Sequence, residues 1–300
     1  MYYYMLSDYL KDKFGNKLYK LILSSGYTCP NRDGKCGTCG CIFCNEKGSG
    51  EFAEDKNLSI DEQIESAKKK VPAEFNKYIA YFQSFTNTYA SIDKLKLLYT
   101  PIVNREDIAI LAIATRPDCL DDDVIEFLKE LNKIKPVWIE LGLQTSNDTT
   151  AKIIRRGYET SIYVDAVKKL REASITVITH QILGLPYETK EDMVTTSGFI
   201  GKYSDGIKFH NLYITDGTDI AELYKQGKIE LLSKDEYIDI LCECVRSIPK
   251  DTVIHRLTGD PDKNTLIAPL WCKDKITLLR DIKNAFYDRD VIQGEKIKNN

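Results

Sequence analysis

Gly26-Tyr27-Thr28-Cys29-Pro30-Asn31-Arg32-Asp33-Gly34-Lys35-Cys36-Gly37-Thr38-Cys39-Gly40-Cys41-Ile42-Phe43-Cys44 holds five of the nine cysteines of this 300-residue chain. The count is odd and the cysteines are crowded, whereas a disulfide framework would spread them over the fold, so the loop reads as a metal site. Thiolates are the usual protein ligands of iron–sulfur clusters. A Cys-x-x-Cys turn presents two sulfurs together, and Pro, Gly and Asn supply the turns that bring in a third. Spacing alone leaves the ligand set open. The competing reading is zinc on Cys36, Cys39, Cys41 and Cys44, whose two Cys-x-x-Cys pairs are one residue apart, a cramped arrangement for a tetrahedral site. Cys36 and Cys39 are alternatively inert or a redox pair.

A β-rich run at 18–23 precedes the loop, and further runs lie at 78–83, 108–114, 137–143, 175–183, 206–214 and 252–257. Amphipathic segments at 92–103, 122–131, 161–173 and 190–202 fall between them, and Ser59-x-x-Glu62 and Ser233-x-x-Glu236 read as capping boxes that start two more helices. This alternation predicts an α/β fold with a parallel sheet and helices outside it. Such folds bind ligands at the carboxyl ends of their strands. That rule selects Cys29 after the first strand, Thr86 and Asn87 after the second, Arg116 and Asp118 after the third, and Gln144 after the fourth. It also selects the stretch from His180 to Glu188 around the fifth, with His210 and His255 on the sixth and seventh. The residues before the first strand are expected to form a small cap, and 275–287 reads as a helix.

Hydrophobic content of 43% and charged content of 29% suit a globular chain with a sizeable core. A net charge of −3 argues against coating nucleic acid by bulk electrostatics. The basic clusters Lys68-Lys69-Lys70 and Lys296/Lys298 read as solvated lysines. The start Met1-Tyr2-Tyr3-Tyr4 lacks a secretory pattern, and no run of about 18 apolar residues predicts a membrane span, so a cytoplasmic location is expected.

The pattern Cys29-x11-Cys41-x2-Cys44 with its lead-in resembles the Elongator-protein-3-like (Elp3-like) branch of the radical S-adenosylmethionine (SAM) superfamily, and more narrowly the bacterial YhcC/YtqA-type proteins. The resemblance extends through Tyr81-Phe82-Gln83-Ser84-Phe85-Thr86-Asn87, Ala114-Thr115-Arg116-Pro117-Asp118, Glu140-Leu141-Gly142-Leu143-Gln144, Ile182-Leu183-Gly184-Leu185-Pro186, His255-Arg256-Leu257-Thr258-Gly259-Asp260 and Ala268-Pro269-Leu270-Trp271. Cys36 and Cys39 depart from the family pattern. The resemblance implies a partial (β/α)6-type TIM barrel with a C-terminal helical extension, 1–300 as one domain with a core at about 18–215 and an extension at about 216–300. It implies a [4Fe–4S] cluster on Cys29, Cys41 and Cys44, with the fourth iron open to SAM. It also implies SAM contacts from Thr86 and Asn87 to the amino group, Gln144 to the ribose, Arg156 (with Arg155 as competitor) to the carboxylate, and Ile182 and Gly184 to the adenine.

His180, His210 and His255 are the only histidines, and each lies on an expected strand, so convergence at the barrel mouth would let them position substrate or move protons. Arg256 and Asp260 are read as contacts to a polar or anionic substrate, or else as an internal ion pair. The family points to the anticodon loop of tRNA as partner, with the carboxymethyl part of a 5-carboxymethylaminomethyl group removed from the wobble uridine to leave 5-aminomethyluridine. It points also to an external one-electron reductant such as flavodoxin or ferredoxin. The alternatives are a radical enzyme acting on a small molecule or protein, and a non-catalytic iron–sulfur or zinc regulatory protein.

Overall fold

The computed structural model describes residues 3–48 and 50–297, so Met1, Tyr2 and Lys298, which entered the reading of the termini, lie outside it. The strands are β1 Tyr19–Leu23, β2 Tyr78–Phe82, β3 Ile108–Thr115, β4 Val137–Gln144, β5 Thr176–Leu183, β6 Gly206–Asn211, β7 Ile214–Thr215, β8 Val253–Arg256 and β9 Leu266–Ala268. The helices are α1 Leu6–Phe14, α2 Ile60–Lys68, α3 Ile92–Val103, α4 Asp122–Ile134, α5 Asp148–Ile153, α6 Thr160–Glu172, α7 Lys190–Tyr203, α8 Asp219–Lys225, α9 Lys234–Arg246 and α10 Lys275–Asp288.

Strands β1-β2-β3-β4-β5-β6-β8 form one sheet in that order, and every neighbouring pair is parallel. A sheet that adds each new strand on the same side curls into part of a barrel, here with seven strands rather than six and with β1 and β8 as its two edges. The run at 206–214 is not one strand. The chain leaves the sheet after Asn211, and Ile214–Thr215 pairs instead with β9 in an antiparallel ribbon. Asn211 fixes the exit, because its Oδ1 accepts from Thr258 Oγ1 and from Gly259 N, both at 2.9 Å, tying the end of β6 to the chain beyond β8.

Alternation divides the strand residues between two faces. Leu21, Phe82, Leu111, Ile139, Val177 and Ile207 face outward into the main core beneath the helices. Ile79, Ile110, Ala112, Trp138 and Ile178 face into the barrel, where Leu10 of α1 joins them. The N-terminal segment is therefore the expected cap: it plugs the interior, and Met5 bridges Ile254 on the edge strand β8. Ser59 and Ser233 form the two expected capping boxes. Cys242, Cys244 and Cys272 are buried packing residues.

Candidate functional site

Two side chains fold the cysteine loop. Asn31, buried, donates from Nδ2 to Arg155 O at 2.6 Å and to Cys41 Sγ at 3.6 Å, while its carbonyl accepts from Gly40 N at 2.7 Å. Arg32 reaches across the loop to the carbonyls of Cys44 and Asn45 at 2.7 and 2.6 Å. Gly40 adopts φ 74°, and a Cβ there would lie 2.9 Å from Arg32 Nε, so glycine is required for the loop to close. Cys29, Cys41 and Cys44 consequently line one cavity at the barrel mouth, whereas Cys36 and Cys39 are exposed and line a separate cavity behind the loop.

Burial first, then the neighbouring Cys44, push the Cys41 thiol up to about 12, with Arg116 opposing. Three thiols that would repel as thiolates suit a cationic metal centre, which lowers thiol pKa by its own charge. Among the described residues no three or more His, Cys, Asp or Glu side chains gather tightly enough for a single metal ion, the zinc set of Cys36, Cys39, Cys41 and Cys44 included. A four-iron cluster makes a different demand, because each thiolate binds its own iron at a corner of the cube. Three cysteines facing one cavity fit that demand.

The structure places the expected SAM residues unevenly. Thr86 lines the cavity, and its buried Oγ1 has no hydrogen-bond partner. Gln144 and Ile182 also line it, with Gln144 held at φ 64° at a register shift where β4 ends. Asn87 does not line it. Its Nδ2 donates to Phe82 O and Ala114 O at 3.2 and 2.8 Å, and its Oδ1 accepts from Ser25 Oγ at 2.6 Å. Both Nδ2 donors and one acceptor position of Oδ1 thus join β2, β3 and the approach to the cysteine loop. Gly184, at φ 88°, packs on Leu232 and Leu212 instead of on the cavity.

Arg156 lines the cavity, but its donors are spent on the fold. Its Nε donates to Tyr158 O, Nη1 to Leu143 O and Thr145 O, and Nη2 to Asp148 Oδ1 and Thr160 Oγ1, at 2.6–3.1 Å. A guanidinium has five N–H donors, and all are used, so none remains for a ligand carboxylate. Arg155 is no substitute, since it pairs with Asp219 at the surface. Arg116 also lines the cavity, close enough to Cys41 to oppose the rise of its thiol. It forks onto Asp118 at 2.9 and 2.7 Å, donates to Arg156 O at 2.8 Å, and lies over the Tyr158 ring at 4.9 Å.

Below the mouth the barrel interior turns polar. Glu140, fully buried on β4, accepts from Lys208 and meets His180 Nε2 at 2.8 Å, both through Oε2. Lys208 also donates to the Tyr81 hydroxyl at 3.1 Å, and Lys20 lies over the same ring at 5.3 Å. Burial disfavours the Glu140 carboxylate, but Lys208, His180 and Lys20 outweigh it and hold the group well below the usual carboxylate range. Charged residues inside otherwise apolar strands, as in Trp138-Ile139-Glu140-Leu141 and Ile207-Lys208-Phe209, were the available signal for this layer, which motif reading passed over.

The three histidines do not converge. His180 and His210 stack at 5.3 Å on the cavity wall, but His255 lies deeper, edge-on to Trp138 at 5.2 Å and against Gly206. Burial lowers the pKa of His180 to about 4 and those of His210 and His255 well below 6.5. All three are neutral at pH 7, so the expected proton shuttle near neutrality has no group poised to titrate there.

An open parallel barrel with three clustered cysteines and a polar cavity at its mouth defines a class of enzymes that keep a metallocofactor beside their substrate. The radical SAM superfamily pattern matches residues 23–200 and the radical SAM C-terminal domain pattern matches residues 204–288. The chain belongs to the radical SAM superfamily, and its cofactors are SAM and a [4Fe–4S] cluster. It is 38% identical to protein YtqA of Bacillus subtilis (strain 168), over 98% of this chain and 92% of that one. A tRNA uridine(34) acetyltransferase of Methanocaldococcus infernus is 24% identical over 50% of this chain and 28% of its own length. In fold, the structure is similar to archaeal Methanocaldococcus infernus Elp3, with a TM-score of 0.66, 15% identity, and coverage of 92% of this chain and 64% of that one. No helix among the described residues is long and apolar enough to cross a membrane.

Proposed function

We propose that the protein is a cytoplasmic tRNA-modifying enzyme that removes the carboxymethyl part of a 5-carboxymethylaminomethyl group at the wobble uridine, leaving 5-aminomethyluridine. The observation that carries the reading is the single cavity in which Cys29, Cys41 and Cys44 stand at the mouth and Glu140, His180, His210 and Arg256 form the wall below. The similarity to a tRNA uridine(34) acetyltransferase supports the choice of substrate.

Cys29, Cys41 and Cys44 would hold the cluster, and the unpartnered Thr86 Oγ1 is available to the SAM amino group. When bound, the cluster supplies one electron to SAM, whose cleavage yields methionine and a hydrogen-abstracting 5′-deoxyadenosyl radical. Arg116 contributes a guanidinium already oriented by Asp118 beside the cysteines, and the apolar Ile182 and Leu212 exclude water from the wall. In the proposed reaction the substrate's N–CH2 carbon loses a hydrogen atom and one further electron to give an imine. Water adds, the C–N bond breaks, and glyoxylate leaves. The hydrogen atom and the electron removed, with loss of the N–H proton, equal the two reducing equivalents that convert SAM to methionine and 5′-deoxyadenosine. An electron donor of the flavodoxin or ferredoxin type starts the cycle.

An anticodon loop suits such a cavity because its bases are already single-stranded and leave their stack at low cost. The test incubates reduced enzyme, SAM and tRNA from a deletion strain, then quantifies the wobble nucleosides and 5′-deoxyadenosine. Conversion to 5-aminomethyluridine is expected. SAM cleavage with no stimulation by tRNA and no altered nucleoside would reject the tRNA reading.

A further inference from the structure

Arg256 is a strong cation on the cavity wall that has neither a hydrogen-bond nor an ion-pair partner among the described residues. It ends β8, where the register with β6 shifts between Ile207 and Lys208, so that Lys208 pairs with Arg256 and His255 becomes the extra residue. The bulge lets His255 turn toward Trp138 while Arg256, the next residue, lines the cavity. Its guanidinium makes no hydrogen bond or ion pair with the described residues. Asp260, the carboxylate expected beside it, is taken by Lys275, and Glu51 accepts from Asn45 at 2.7 Å. Glu140 is engaged by Lys208 and His180. An arginine cannot shed its proton to relieve the mismatch, and an uncompensated charge at a partly dry wall is costly.

Two further observations on the same wall point to a ligand. Glu140 Oε1 and His210 Nε2 are buried polar atoms without partners, in side chains that line the cavity. Burial first, opposed by Glu140 and reinforced by the nearby Arg256, depresses the Lys20 ammonium, a penalty an arriving anion relieves. One unmatched guanidinium suits a monoanion, and its fork of donors suits a planar carboxylate. Ala114 and Gly142 line the same cavity.

We propose that Arg256, flanked by Lys20 and Lys208, anchors a carboxylate on the reacting side chain of the substrate, with Glu140 Oε1 and His210 Nε2 placed for the polar group next to it. The proposal deepens the reading of this cavity as the reaction site, and rests on it.

The experiment uses anaerobically reconstituted holoenzyme with SAM bound, so that the open iron is already filled. Acetate and N-methylglycine are the carboxylate probes, acetamide the neutral isostere and inorganic phosphate the competing oxyanion, all followed by ligand-observed NMR. Saturable carboxylate binding is expected, at least tenfold tighter than acetamide or phosphate. Arg256→Gln should weaken it at least tenfold, and Arg256→Lys should restore part. Equal binding in Arg256→Gln, preference for phosphate or acetamide, or no saturable binding to the wild type would overturn the anchor. Circular dichroism and the cluster absorbance check that the variant is folded, and the wild-type acetate-to-acetamide ratio decides the matter if it is not. A parallel arm supplies tRNA bearing the carboxymethylaminomethyl group. If that tRNA fails to stimulate 5′-deoxyadenosine formation while carboxylates bind through Arg256, the tRNA reading falls and the anchor stands. If it stimulates turnover with an unchanged KM in Arg256→Gln, the anchor falls and the tRNA reading stands.

Discussion

Replacing Arg156 with alanine removes a guanidinium that is 1% exposed and donates to three carbonyls, one hydroxyl and one carboxylate. Two of those carbonyls, of Leu143 and Thr145, flank Gln144 at its left-handed φ of 64°, so the arginine clamps the bend that ends β4. The Asp148 carboxylate is 43% exposed and can return to water, so the ion pair contributes little. The carbonyls cannot be rehydrated as easily. Single hydrogen bonds to a charged group are worth roughly 1.5–3 kcal/mol, but five on one group do not add. Loss of one partner of a buried charged network typically costs about 3–5 kcal/mol. At roughly 2–4 °C per kcal/mol for chains of a few hundred residues, Arg156→Ala should lower Tm by about 6–20 °C. Arg156→Lys should fall between, because three donors on a flexible stem cannot reproduce the fork. The assay is thermal unfolding of reconstituted protein alongside SAM affinity by calorimetry, measured well below the variant's Tm. A Tm within about 2 °C of wild type, together with a tenfold or larger loss of SAM affinity, would return Arg156 to the ligand and refute the donor count.

Cys29→Ala, Cys41→Ala and Cys44→Ala should each abolish the brown cluster chromophore, while Cys36→Ala and Cys39→Ala retain it; normal iron loading in Cys29→Ala would show the ligand set to be wrong. Thr86→Val removes a buried hydroxyl that no protein group satisfies, so the fold should keep or gain stability while SAM affinity drops about tenfold; a destabilised variant with unchanged affinity would assign the hydroxyl to the fold. His180 has a folded pKa lowered to about 4 from 6.5, so between those values the unfolded chain binds the proton more readily. Its contribution to stability is therefore flat above pH 6.5 and falls on acidification toward pH 4, and its imidazole signals in NMR should not shift between pH 6 and 8; titration of His180 near pH 6.5 would contradict the burial argument.

The strand–helix order was legible because apolar runs and capping boxes are local. Ile108 to Ala114 is an unbroken apolar run of the kind a doubly covered parallel strand requires, and Ser233 with Glu236 caps α9 within four residues of chain. The resemblance carried by the motif around the loop, rather than the spacing alone, pointed to Cys29, Cys41 and Cys44, the three that line the cavity. What the sequence could not display was the allocation of donors and acceptors among residues far apart in the chain. Arg156 and Asn87 read as ligand contacts by position in a motif, yet contacts within the fold consume their hydrogen bonds. Asn31 separates inward from outward cysteines only by reaching Arg155. The shifted pairing of β8 with β6 sends His255 to the floor and leaves Arg256 on the wall. Charge balance in a cavity is a sum over seven strands, and only the tertiary structure brings those terms to one place.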